Sequence, residues 1–180
     1  MIRLSPMIYG VIFFIKLIPL SKTSKSNKGK YFAQVDDEDY EELNKYNWSA
    51  YKNGNTLYAL RLETLNGKSK SILLHRTILG LINEKDFCDH KDRNGLNNQK
   101  INLRKCTRSE NQKNSKSRVN CSSKYLGVDW DKSRNKWRSQ ITINHKNKWL
   151  GRFYNEIDAA KAYDEAAKFH HKEFANLNFK

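Results

Sequence analysis

The sequence predicts an α+β protein assembled from small modules, and three observations lead there. Short segments rich in β-branched and aromatic residues are separated by turn signals, among them Asn53-Gly54 and Asn66-Gly67. Helical spacing is confined to short stretches, apart from one longer run of small residues near the C-terminus. A chain of 180 residues fits one large or two small domains with modest cores. The expected order is an N-terminal β-rich element, a ββα unit, and a three-stranded antiparallel sheet with one packed helix. Its sections are residues 1–30 (extension, strand and linker), 31–82 (the β-rich element), 83–118 (the ββα unit) and 122–180 (the sheet and helix).

Charge narrows the class of partner. There are 34 Lys plus Arg against 19 Asp plus Glu, a formal net charge of +15, and a chain this basic usually meets a polyanion. The 55 residues from Lys100 to Tyr154 hold 15 basic and three acidic side chains, so +12 of the charge sits there. Cys88, Cys106 and Cys121 are odd in number and widely spaced, which indicates neither a disulfide framework nor a zinc ribbon and favours reduced, partly buried thiols.

Met7 to Leu20 is apolar but too short to cross a membrane, which takes about 20 apolar residues. Lys16 and Pro19 interrupt it, and no small-residue cleavage site follows. Ile12 to Leu20 reads as a buried strand, the first residues as a dispensable extension, and Ser21 to Lys30 as a polar linker. The expected location is inside the cell, in the cytoplasm or, in a eukaryotic host, the nucleus.

Next, Asp36 to Tyr46 suits a short helix. Trp48 to Tyr51 and Thr56 to Leu62 form a hairpin about Asn53-Gly54, and Ser69 to Leu74 adds a third strand. His75-Arg76, beside the apolar Ile78, Leu79 and Leu81, reads as a packing or hydrogen-bonding pair.

Between Asp86 and Ser117 the pattern is strand, loop, strand, helix. Phe87 to His90 ends in Asp89-His90, and Lys91 to Lys100 is an Asn-rich loop whose Asn94, Asn97 and Asn98 read as turn formers. Ile101 to Cys106 returns, and Thr107-Arg108-Ser109-Glu110 has the form of a capping box, which puts Asn111 in the first turn of a helix. A ββα unit of this length can bring Asp89, His90 and Asn111 around one point. Those residue types suit phosphodiester hydrolysis. An imidazole activates a nucleophile near neutral pH, while a carboxylate and an amide oxygen suit a hard Mg²⁺ or Mn²⁺ ion.

This segment resembles the HNH homing endonucleases. The resemblance lies in His75-Arg76, Asp89-His90, the loop from Lys91 to Asn98, Asn102-Leu103-Arg104 and Glu110 to Asn114, with 12 positions from His90 to Asn102 and 21 from His90 to Asn111. It implies that His90 is the general base, that Asp89 and Asn111 bind the divalent metal, and that Asn102 holds the loop so that His90 faces the phosphate. Asn rather than His as the last ligand departs from other branches and disfavours zinc. Arg104 and Lys113 are expected to touch DNA. The bland counterpart is an Asn-rich hairpin that binds nucleic acid and cuts nothing.

In the last section Tyr125 to Trp130, Lys136 to Ile143 and Lys148 to Phe153 read as three strands. Asn155 caps a helix from Glu156 to about His170, whose Ala159, Ala160, Ala162, Ala166 and Ala167 lie close against the sheet. His170-His171 is expected to favour the helix C-terminus electrostatically rather than to hold a metal. This section resembles the AP2 domain in Lys124 to Val128, Lys136-Trp137-Arg138, Trp149-Leu150-Gly151, the Asp158 to Ala167 run and Leu177-Asn178-Phe179. The resemblance implies that an exposed sheet face enters the major groove of double-stranded DNA. Trp130, Lys136, Arg138, Gln140, Lys148 and Arg152 are then the contacting side chains. Asp129 and Trp130 replace the usual Arg residues, so base preference does not carry over.

The expected function is therefore a metal-dependent endonuclease, monomeric and without a membrane role. Two alternatives stand beside it: a DNA-binding transcription regulator with an inactive HNH unit, and an RNA-binding protein.

Overall fold

The computed structural model describes residues 3–4, 14–20, 29–83, 85–113, 122–144 and 146–179. The expected linker after Leu20, Asn114 and Cys121 fall mostly or wholly outside them. The backbone divides into two compact units, Met1–Cys106 and Thr107–Lys180.

In the first unit β1 (Arg3–Leu4), β2 (Phe14–Pro19) and β3 (Phe32–Asp36) form an antiparallel sheet in that order. The expected N-terminal extension thus contributes an edge strand, with Arg3 opposite Ile15 and Leu4 opposite Phe14. Alternation sends Ala33 and Val35 of β3 inward. The acidic stretch forms α1 (Asp37–Leu43), with Asp37, Glu38 and Asp39 in its first turn, where carboxylates meet the positive end of the helix.

A second antiparallel sheet holds β4 (Ser49–Asn53), β5 (Thr56–Leu65) and β6 (Lys68–Leu73). Asn53 pairs with Thr56, so the first hairpin turns on Gly54 and Asn55, one residue later than Asn53-Gly54. The second turns on Asn66 and Gly67, whose φ angles of 51° and 74° are the pair of positive values that a two-residue hairpin loop needs. Then come α2 (Leu74–Ile78) and the two-stranded β7 (Phe87–His90) and β8 (Leu103–Cys106). One core of Ile18, Leu20, Ala33, Val35, Leu43, Trp48, Ala59 and Leu74 joins β2, β3, α1, β5 and α2, with the indole N–H of Trp48 donating to the Leu43 carbonyl at 2.8 Å.

In the second unit α3 (Arg108–Lys113) opens with the capping box. The Thr107 N–H donates to Glu110 at 2.8 Å, and the Glu110 N–H donates to the Thr107 hydroxyl at 3.2 Å. The sheet β9 (Val128–Asp131), β10 (Lys136–Ile143) and β11 (Lys146–Phe153) is antiparallel with β10 central. Asn155 caps α4 (Glu156–His171) by accepting from the Ile157 N–H at 2.8 Å. Ala159, Ala160, Tyr163 and Ala167 of α4 pack on Val128 and Ile141. The close approach requires Gly127: its φ is 70°, and a Cβ there would lie 2.1 Å from the Tyr163 ring. Asp164 accepts from the N–H groups of Asn178 and Phe179 at 2.8 Å each, and Asn178 accepts from the Leu126 N–H at 2.7 Å, which ties this last segment to α4 and to the residues just before β9.

Candidate nucleic-acid interface

Register decides which side chains of the second unit share a face, because residues directly opposite on antiparallel strands point the same way. Val128, Ser139 and Ile141 are buried towards α4. The opposite, outer face therefore carries Asp129 and Asp131 of β9 and Lys136, Arg138 and Gln140 of β10. On β11 the pairing slips between Ser139 and Gln140: Ser139 faces Gly151 and Gln140 faces Trp149, so Leu150 is an extra residue. Gly151, at φ 137°, supplies the backbone this bulge needs. The bulge changes the phase of the strand, placing Arg152 and Trp149 on the outer face.

Two of the expected contact residues are corrected by this geometry. Lys148 pairs with the buried Ile141, on the helix-packed side, because simple alternation from Arg152 skips the bulge. Trp130 pairs with Trp137, which packs on Ala159 and Ala160, and the two indoles meet edge-to-face at 4.9 Å. Trp149, not among those expected contacts, is 55% exposed. The Arg138 guanidinium lies 5.1 Å and that of Arg152 5.8 Å from its ring centre, within cation–π range. Lys136 lies 4.3 Å from the Tyr154 ring.

Each of the two arginines is also held by an acid. Arg138 is ion-paired with Asp129 directly across the strands, and Arg152 donates through Nε to Asp131 at 2.9 Å. Asp131 further accepts from the Ser133 hydroxyl at 2.7 Å and the Ser133 N–H at 3.2 Å. The Ser133 hydroxyl, then Arg152, holds the Asp131 carboxyl down at about 2, and Asp129 raises Arg138. The Asp129–Arg138 pair leaves Oδ1 of the acid and Nε of the arginine buried without a hydrogen-bond partner among the described residues.

Lys113 lies within electrostatic reach of His171 and adds to the lowering of that imidazole. His171 itself is buried, with Nε2 3.2 Å from the Thr142 carbonyl. Burial lowers its pKa first, so it is a neutral core residue and not the helix-end cation expected.

The first unit gathers the other candidates. His90 is buried, with its ring centre 5.0 Å from that of His75 and 5.8 Å from Tyr58, and its Nε2 3.5 Å from Oδ1 of Asn98. Burial, then His90 and Arg76, push His75 down to about 3; burial likewise lowers His90 against the pull of Asn98, Asp92 and Asp89. Both rings are neutral near pH 7. Among the described residues, His75 Nδ1 and Asn98 Nδ2 are buried without a hydrogen-bond partner. Tyr58, His75 and Asn98 join His90 from β5, α2 and the loop, and no local spacing announces that meeting. Asn98, expected as a turn former, is fully buried.

The loop is clamped from within. Asn102 accepts from the Asp92 N–H at 3.0 Å and donates to the Asn97 carbonyl at 2.7 Å and to Asp92 Oδ1 at 2.9 Å. Its outer edge docks on β3, where the Gln34 N–H donates to Leu96 and the Asn98 N–H to Gln34, each at 2.8 Å. Gly95 fits because a Cβ would lie 2.5 Å from the Leu57 carbonyl.

Asp89 is buried and paired with Arg104, whose Nε and Nη2 donate to Oδ2 at 2.8 and 2.5 Å. Arg104 is therefore corrected from a DNA contact to an internal counter-ion: it stands directly opposite Asp89 across β7 and β8. The first unit's own donors do not fit a divalent cation as arranged. The carboxylate is occupied by a guanidinium, and among the described residues no three His, Cys, Asp or Glu side chains gather as a metal cluster. Asn111, exposed in α3, belongs to the second unit, so the constellation with Asp89 and His90 is contained in neither.

Comparison with known proteins bears on the second unit. Residues 123–172 match the AP2 domain family. That stretch holds all of β9 to β11 and α4, hence the whole outer face and the helix behind it. Over 72 residues the chain is 42% identical to the AP2/ERF and B3 domain-containing transcription factor RAV1 of Arabidopsis thaliana, covering 40% of this chain and 21% of that protein. The chain thus spans about a fifth of that relative's length. No solved structure matches it. The register found for the AP2 domain sets Asp129 and Asp131 on its outer face among the basic residues. Among the described residues no helix is long and apolar enough to cross a membrane.

Proposed function

We propose that this chain is a DNA-binding regulator that grips double-stranded DNA with the outer face of its AP2 sheet. One observation carries the reading: Arg138 and Arg152 flank the exposed Trp149 on the side of the sheet away from α4. Cations beside an exposed aromatic suit phosphates and base edges together. The likeness to a protein named as a transcription factor supports the same reading. Binding of a mixed-sequence duplex is expected to fall by about tenfold or more between roughly 50 and 200 mM salt if three or more phosphates are neutralised. Arg138→Ala and Arg152→Ala should each weaken it. Salt-insensitive binding, or preference for single-stranded RNA in competition, would overturn the reading.

A second reading, hydrolysis of the DNA backbone, rests on His90 standing beside a loop clamped by Asn102 and Asp92. The Mg²⁺ or Mn²⁺ ion expected of such an enzyme needs Asp89 released from Arg104, and the part given to Asn111 rests on spacing in the sequence. A plasmid-nicking assay with either ion, comparing the parent with His90→Ala and Asn111→Ala, tests it. Activity lost in both variants supports nuclease function; equal nicking by all three proteins refutes this site.

A further inference from the structure

We propose that Asp129 and Asp131 are specificity-determining residues of the DNA-facing sheet: they turn Arg138 and Arg152 from phosphate clamps into readers of G·C base edges. The inference rests on the duplex-binding reading above. Asp131 is fixed by two bonds from Ser133 and in turn holds Nε of Arg152 at 2.9 Å, while Asp129 holds Arg138 from directly across the strands. Trp149 lies beside both guanidiniums. A mobile surface arginine follows the nearest phosphate. Here each is restrained on one edge by a carboxylate and on its face by an indole, and the carboxylate repels phosphate from the same spot.

A guanidinium carries five N–H donors, so a carboxylate that takes one or two leaves the remainder in a planar fork. That fork matches the O6 and N7 acceptors of guanine, and a carboxylate oxygen beside it accepts from the N4 amine of the paired cytosine. Among the described residues, the buried Oδ1 of Asp129 and Nε of Arg138 have no hydrogen-bond partner. A pair that rearranges against a base edge can satisfy both atoms. Sequence-blind attraction then falls to other cations, such as the exposed Lys132 and Arg134 of the β9–β10 turn.

The full-length parent and Asp129→Asn/Asp131→Asn are compared by salt titration on a 20-base-pair mixed-sequence duplex and by selection from a random duplex pool. The double variant should bind the mixed duplex more tightly, with a log–log salt slope steeper by about 2, since each added phosphate contact contributes about 0.9. Its selected sequences should show weaker G·C preference than the parent's. Asp129→Asn alone, which spares the turn built by Asp131, should give about half the slope change. Asp158→Asn/Glu165→Gln, with the same charge change at exposed positions of α4, should leave slope and selection as in the parent. Unchanged slope and unchanged selected sequences in the Asp129→Asn/Asp131→Asn variant would show the acids to be strand ties only. An equal response from the α4 variant would show a general charge effect. Either result overturns the proposal while leaving duplex binding intact. A parent that binds no duplex removes the underlying reading as well.

Discussion

His75 shows how one residue changes meaning with its surroundings. Beside Arg76 in the sequence it is an ordinary polar residue before an apolar run. In the fold it is 7% exposed and stands against a second imidazole, with its pKa pushed down to about 3. The linkage follows in sign. The unfolded chain binds this proton near the ordinary value of 6.5 and the folded chain does not, so stability is full above pH 6.5 and is lost as pH falls towards 3. The slope for one such group is at most about 1.4 kcal/mol per pH unit. His75→Gln is expected to flatten the acid limb of the stability–pH curve, as followed by urea denaturation between pH 7 and 4. An unchanged limb would place the acid sensitivity elsewhere. His90, lowered in the same direction, contributes with the same sign.

At the scale of elements, the loop between β7 and β8 and the bulge in β11 did different things to the reading of the sequence. The loop's Asn and Gly content announced turns, but its order comes from Asn102, which satisfies Asp92 and Asn97 from ten and five residues away. Asn102→Ala should cost about 2 to 4 kcal/mol, since it leaves several part-buried polar groups without partners. Amide exchange at Asp92 should accelerate, and retained protection there would show that the dock on β3 suffices to hold the loop. Arg93, at φ 62°, takes a left-handed backbone position, while Gly95 does not. In β11 the sequence alternates as a strand should, yet one extra residue reverses the facing of everything before it. That is why Lys148 drops out of the outer face and Trp149 enters it.

At the scale of the whole molecule, the described residues form two units with separate cores: one around Trp48, Ile18 and Leu74, the other on the small-residue side of α4. Independent cores predict two unfolding transitions. Trp48→Ala should lower one of them, by about 3 to 5 kcal/mol for a buried aromatic. Gly127→Ala should lower the other, by about 2 to 4 kcal/mol from overpacking against Tyr163 and from positive-φ strain. Calorimetry of the full chain distinguishes the two; both variants shifting a single common transition would mean that the units melt together.

The sequence by itself determined what local physics can determine. Turn residues placed the hairpins, the Thr107 and Glu110 capping box opened α3, Asn155 capped α4, and alternation placed β10 from Lys136 to Ile143. Charge pointed to a polyanion, and the motif of the last section led to the AP2 match. Tertiary structure alone decided which side chains meet. Cross-strand register joined Arg104 to Asp89 and the acids of β9 to the arginines of the outer face; packing of distant elements brought Tyr58, His75 and Asn98 to His90. Such partners are set by the pairing and burial of segments far apart in the chain, and a residue's own neighbours in the sequence carry little record of them.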